Sequence, residues 1–178
     1  MLSGKEQWQD EREHLMASSS TRNREVRARI EKWLTDDDWK LTPFEAEGML
    51  WAFRAATSDA RRVVIGMPAQ KPDAILVTCG LSVAEHQRQK LALLDFAKRS
   101  EFLWDLRHEL LLRDVEFDGV ESPLKAIAVH SMIFLDGLTQ DNFYQRILRV
   151  SNAVMALACR FGRFFGEAYS PDAQEFVN

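Results

Sequence analysis

The apolar residues of this chain change their spacing in a fixed order, and that order limits the fold more than any short motif does. Read by hydrophobic period, residues 23–166 run helix, three strands, helix, two strands, helix. A period near 3.6 buries one stripe of a helix, whereas a period of two buries one face of a strand. A chain patterned in this way is expected to fold as α+β, in the order α-β-β-β-α-β-β-α, with an antiparallel sheet packed against helices.

Val26, Ile30, Trp33 and Leu34 fall at i, i+4, i+7 and i+8 and give the first helix one apolar stripe. Asp36-Asp37-Asp38 ends it, because carboxylates oppose the negative pole of the helix dipole. Trp39 and Leu41 can begin a short strand, which Pro43 confines to an edge. Met49, Trp51, Phe53 and Ala55 then alternate with Leu50, Ala52 and Arg54. Arg61 to Met67 has a β-branched centre, and Ala74 to Cys79 reads as a third strand. The short turns between these runs predict an antiparallel meander.

Ser82-Val83-Ala84-Glu85 spells a capping box. The helix it opens carries Leu91, Leu94, Phe102, Leu103, Leu106 and Leu110 as far as about Arg113, with a kink expected at Arg99-Ser100. Val115-Glu116-Phe117 is a short strand closed by Asp118-Gly119. Ala126 to Leu135 is apolar on both faces, which predicts a central strand covered on both sides by helices or by a second subunit. Thr139 or Asp141 caps the last helix. There Phe143, Ile147, Val150, Val154, Leu157, Phe161 and Phe164 share an arc of roughly 100°.

A length of 178 residues suits one ordinary domain. The expected division is an N-terminal extension over 1–22, a single α+β domain over 23–166 and a loose tail over 167–178. Lys5 to Met16, with only Trp8, Leu15 and Met16 as apolar anchors, can form a short helix in that extension or stay disordered, and Ala17-Ser18-Ser19-Ser20-Thr21 is a flexible joint. No apolar stretch of a signal peptide or a membrane span is visible, so the expected location is cytoplasmic.

Chemistry-bearing constellations are sparse. Cys79 and Cys159 lie in separate apolar runs without a Cys-x-x-Cys pair, and are expected to be buried free thiols. Glu101, Asp105, His108 and Glu109 share one helix at metal-ligand spacing, yet a di-metal helix pair needs a second Glu-x-x-His copy. They read as a solvated face. Cys79-Gly80-Leu81-Ser82 has one glycine, too few for a phosphate loop. His130 sits in the apolar strand as a core or interface histidine, and His14 and His86 are expected to be exposed. No cofactor is implied. The net charge of -4 gives no argument for nucleic acid.

Ile30-Glu31-Lys32-Trp33-Leu34, the Phe102 to Leu112 segment and Ile133-Phe134-Leu135-Asp136-Gly137-Leu138-Thr139 together resemble small prokaryotic proteins of unknown function with the type III secretion chaperone-like fold. The resemblance spans about residues 24–165 and brings no catalytic residue. It implies a cytoplasmic dimer that holds another protein chain along apolar patches. The expected function is therefore a non-enzymatic, chaperone-like protein-binding module acting as a homodimer. Two alternatives stand beside it: an enzyme or small-ligand protein with a site assembled from His108, His130 and Arg146, and a nucleic-acid-associated protein using an arginine flank. The candidate partner-binding residues are the widened arc Leu148, Met155 and Phe165, the strand residues Trp51 and Phe53, and the flank Arg146, Arg149, Arg160 and Arg163.

Overall fold

A computed structural model of the chain describes residues 4–58 and 61–166, with side chains from Ser20 onward. By internal contacts the chain forms two units, Met1–Trp39 and Lys40–Asn178.

The first unit is one helix, α1 (Gly4–Asp36). It runs without a break through Ala17–Thr21, where the sequence predicts a joint. Serine and threonine each cost a helix less than about 0.7 kcal/mol relative to alanine, too little to stop one already formed on both sides. Val26, Ile30 and Leu34 are buried along one stripe, as their spacing predicts. Arg27–Glu31 and Lys32–Asp36 pairs, each at 2.7 Å, line the exposed side. The helix ends through Asp38, whose left-handed backbone (φ 60°) lets the Trp39 N–H reach the Leu34 carbonyl at 3.0 Å. The side chains of Trp8, Leu15 and Met16 and the tail 167–178 lie outside the described residues.

The second unit is a six-stranded antiparallel sheet packed with helices, in the predicted order of elements. Its strands are β1 (Lys40–Pro43), β2 (Met49–Ala56), β3 (Arg62–Pro68), β4 (Ala74–Ser82), β5 (Glu116–Asp118) and β6 (Ala126–Phe134), in spatial order β1-β2-β3-β4-β6-β5. The first four form the meander. The chain then leaves through α2 (Glu85–Leu93) and α3 (Phe96–Leu111), lays down β5 at the edge, and returns as β6 between β5 and β4. β1 carries Pro43 at its end and β5 has 3 residues, so both edge strands are short.

Two helix boundaries differ from expectation. Ser82 pairs with Ala126 in the β4–β6 ladder, so the sheet claims it and Ala84 becomes the N-cap of α2. Half of a capping box survives, since the Ala84 N–H donates to Gln87 Oε1 at 3.2 Å. The long predicted helix breaks at Leu94-Asp95, ahead of Arg99-Ser100. Asp95 accepts from the Lys98 N–H at 2.9 Å and caps α3, and that bond is the main cause holding its carboxyl below the usual range.

The core lies between the sheet and α4 (Gln140–Phe165), which packs on β4, β6 and β3. Thr139 caps α4 by accepting from the Asn142 N–H at 3.2 Å. Gly166, with φ 70°, ends the helix in the left-handed region that glycine enters without strain. Phe143, Ile147, Val150, Val154, Leu157 and Phe161 are buried against Ile75, Val77, Ile127, Val129 and Ile133 of the sheet.

β6 lies inside the sheet, and within one chain only one of its faces is fully buried. Ile127, Val129, Ser131 and Ile133 are buried, while Ala128, His130 and Met132 on the other face are half-exposed and Phe134 is open. Within one chain no helix has to cover that face, because it carries small and polar residues at alternate positions.

Candidate partner-binding surface

The outer side of α4 is where the sequence-predicted residues come together. Leu148, Asn152, Met155, Cys159 and Gly162 recur at intervals of four and three. At 100° per residue they occupy an arc of about 80°, opposite the buried face. Leu148 is 41% exposed and Met155 39%, an unusual amount of open apolar surface for mid-helix positions. Phe165 is half-buried at the end of the helix, against Phe102, Phe161 and Phe164, with Lys90 Nζ 5.7 Å from its ring centroid. It belongs to an aromatic cluster more than to the open stripe.

A shallow groove of about 510 Å³ borders this stripe on the α3 side, lined by Glu109, Arg113, Met155, Cys159, Arg160 and Arg163. Most of its charges are paired, those of Arg160 across the two helices. Arg160 faces Asp105 at 3.7 Å and Glu109 at 3.6 Å, and Arg113 holds Glu109 at 2.6 Å. Arg149 binds Asp114 at 2.5 Å. Arg146 turns under the helix instead, where Nη1 donates to Ser131 Oγ at 3.3 Å. Arg163 is exposed and has no ion pair among the described residues. The flank is therefore mostly an internal charge network, poorly suited to phosphates. The carboxylates at metal-ligand spacing are drawn into the same network through Asp105 and Glu109.

Trp51 and Phe53 do not form an open face. Both are buried, stacked at 5.7 Å with their rings 11° apart. β2 pairs with β1 and β3 along its two edges, and Ala52 on its other face is buried too, so neither face of β2 is open at these positions. The scattered enzymatic site is not assembled either. His108 is exposed on α3, Arg146 lies under α4 beside Ser131, and His130 points to the opposite face of β6 from Ser131. There His130 Nε2 lies 3.3 Å from Glu116 Oε2 on β5. Burial pushes the Cys79 thiol up to about 12, so it stays protonated. Cys159, expected to be buried, is exposed because it falls on the outer stripe of α4.

The sequence reading missed the solvent side of α3. Phe96, Trp104 and Leu111 stand within about 80° of one another on that helix, and Trp104 is 64% exposed. Leu93 and Leu112, at either end, are open as well. The signal was present as a second apolar arc beside Phe102, Leu106 and Leu110, more than one contact requires.

The second unit is thus an α+β domain whose helices keep apolar stripes open on their outer sides. The family described as "Uncharacterized conserved protein (DUF2299)" matches residues 26–161, and the chain belongs to that family. Among solved structures it is similar to an uncharacterized protein from Methanothermobacter thermautotrophicus, at 29% identity and TM-score 0.71 over 78% of this chain and 98% of that one. It is more distantly similar to YbjN from E. coli, at 15% identity and TM-score 0.46 over 73% and 89%. No curated protein matches it. Among the described residues no helix is long and apolar enough to cross a membrane.

Proposed function

We propose that this chain is a non-enzymatic, chaperone-like protein-binding module that works as a cytoplasmic homodimer, with a second copy seated on the outer stripe of α4. One observation carries the reading. Leu148, Asn152, Met155, Cys159 and Gly162 follow the four-three spacing of a helix-pairing seam, on the side of α4 that its own core leaves open. Small residues at Cys159 and Gly162 permit close helix approach, and Leu148 and Met155 supply the knobs. Charges at the rim, Arg163 among them, would orient the encounter more than strengthen it.

The order of elements, which resembles that of the type III secretion chaperone-like fold, supports the chaperone-like part. So does the α3 stripe of Phe96, Trp104 and Leu111, since exposed aromatic side chains are the usual anchors of protein recognition.

Sedimentation velocity tests the dimer. The unaltered chain should sediment as twice 20.5 kDa at micromolar concentration. Leu148→Ser with Met155→Ser should raise the dissociation constant at least tenfold, about 1.4 kcal/mol, while the far-ultraviolet dichroism stays unchanged. A monomer at all concentrations defeats the proposal.

A further inference from the structure

We infer that the pocket between α2, α3 and the β5–β6 loop docks a partner polypeptide through a leucine-sized aliphatic side chain carried next to a carboxylate. This rests on the protein-binding reading above and names the chemistry of the partner.

The pocket is lined by Leu91, Leu103, Pro123 and Leu124, with Arg88 and Arg99 also contributing. Its volume is about 100 Å³. An apolar cavity of about 150 Å³ holds benzene, so a pocket of this size seats the tip of one apolar side chain, and a branched aliphatic group fits its leucine and proline walls. The walls are set before any partner arrives, because Arg107 Nη2 donates to the Val120 carbonyl at 2.6 Å and ties the β5–β6 loop to α3.

The charges select an acidic neighbour for that side chain. Glu85 is engaged by Arg88, and Asp95 by Lys98 at 3.5 Å. Arg99 is half-exposed and has no ion pair among the described residues. An uncommitted guanidinium beside an apolar hole matches a carboxylate on the residue next to an aliphatic anchor. The surface also continues past the pocket. Phe96 shares an arc of about 60° with Arg99 and Leu103 on α3, and both Phe96 (78% exposed) and Leu93 (87%) stand open there. A free small acid would leave that surface uncovered, whereas a peptide would lie across it.

The test is an NMR titration of the full ¹⁵N-labelled chain with the capped peptide acetyl-Ser-Glu-Leu-Glu-Ser-amide. Saturable shifts are expected at the amides of Leu91, Leu103 and Leu124. The peptide with both glutamates replaced by glutamine should bind about fivefold more weakly, the loss of one charge-assisted contact. Arg99→Glu should weaken binding about tenfold. Ala92→Trp, at an exposed pocket-lining position outside the core, should block it while leaving the rest of the spectrum in place. The inference is overturned by shifts absent up to about 5 mM peptide, by equal binding of the glutamine peptide, by indifference to Ala92→Trp, or by decanoate binding where the peptide does not. It is also overturned if deletion of 167–178 is needed before peptide binds, since the chain's own segment would then be the occupant. The pocket lies within one chain, so a dimer that ignores the peptide sinks only this inference, and a monomer that binds it sinks only the dimer.

Discussion

The Arg149 guanidinium binds the Asp114 carboxylate at 2.5 Å, and Asp114 itself holds a left-handed backbone with φ 53°. The pair joins α4 to the turn that follows α3, and it removes from solvent interaction an arginine that would otherwise face outward. Asp114 is largely exposed, so the pair is worth little in stability. A double-mutant cycle of Arg149→Ala and Asp114→Asn should give a coupling below about 1 kcal/mol. Asparagine keeps the left-handed backbone comfortable, so the single change at 114 should report the charge alone. Coupling of several kcal/mol would mean that the pair is far drier than its exposure indicates.

Alkaline pH should weaken the fold through Cys79. In the unfolded chain its thiol ionises near 9.0, and in the folded chain burial pushes this up to about 12. Above 9.0 the unfolded state therefore binds fewer protons, and stability falls as pH rises from 9.0 toward 12. Below 9.0 the contribution is fully present. Urea unfolding at pH 8 and pH 10.5 should show a loss in the unaltered chain that shrinks in Cys79→Ala, by up to about 1.4 kcal/mol per pH unit. An identical pH slope in both proteins would contradict the burial argument.

Ser151 is a correctable flaw. Its hydroxyl is buried on α4 and has no hydrogen-bond partner among the described residues. Ser151→Ala removes an unsatisfied polar group and improves helix propensity, so stability should rise by about 1 kcal/mol. For a domain of this size the thermal midpoint should climb about 2–4 °C. A fall would show that the hydroxyl is satisfied in solution.

Gly119 permits no side chain. Its φ is 84°, and a Cβ added there would sit 2.2 Å from the Ala126 carbonyl oxygen. Gly119→Ala should cost at least about 2 kcal/mol, because strained backbone and a fixed main-chain clash add. A midpoint shift of less than a degree would require the β5–β6 loop to yield freely.

Much of the fold was legible because its periods are clean. Val63-Val64-Ile65, the alternation around Trp51 and the long arc from Phe143 to Phe161 each point to one element type. What misled was context. Ser82 reads as a cap until its ladder partner Ala126 is known, and Ala126 to Leu135 reads as doubly covered because alanines and Met132 look apolar without being buried. The candidate surface was half legible. Leu148 and Met155 stood out as surplus on a helix whose buried arc was already full. Trp51 and Phe53 were misplaced because a period of two shows which face of a strand is apolar, not whether another layer covers that face. Trp104 was overlooked because a strongly apolar helix hides its outer arc behind its inner one.

The two ends of the sheet constrain how this protein can gather at high concentration. With Pro43 closing one border and Glu116 and Asp118 studding a strand of 3 residues at the other, neither border offers a long run of free, uncharged main chain to a neighbour. Strand-to-strand polymerisation into fibrils has no starting template there. A concentrated solution should therefore stay clear of thioflavin-positive fibres even where it becomes turbid.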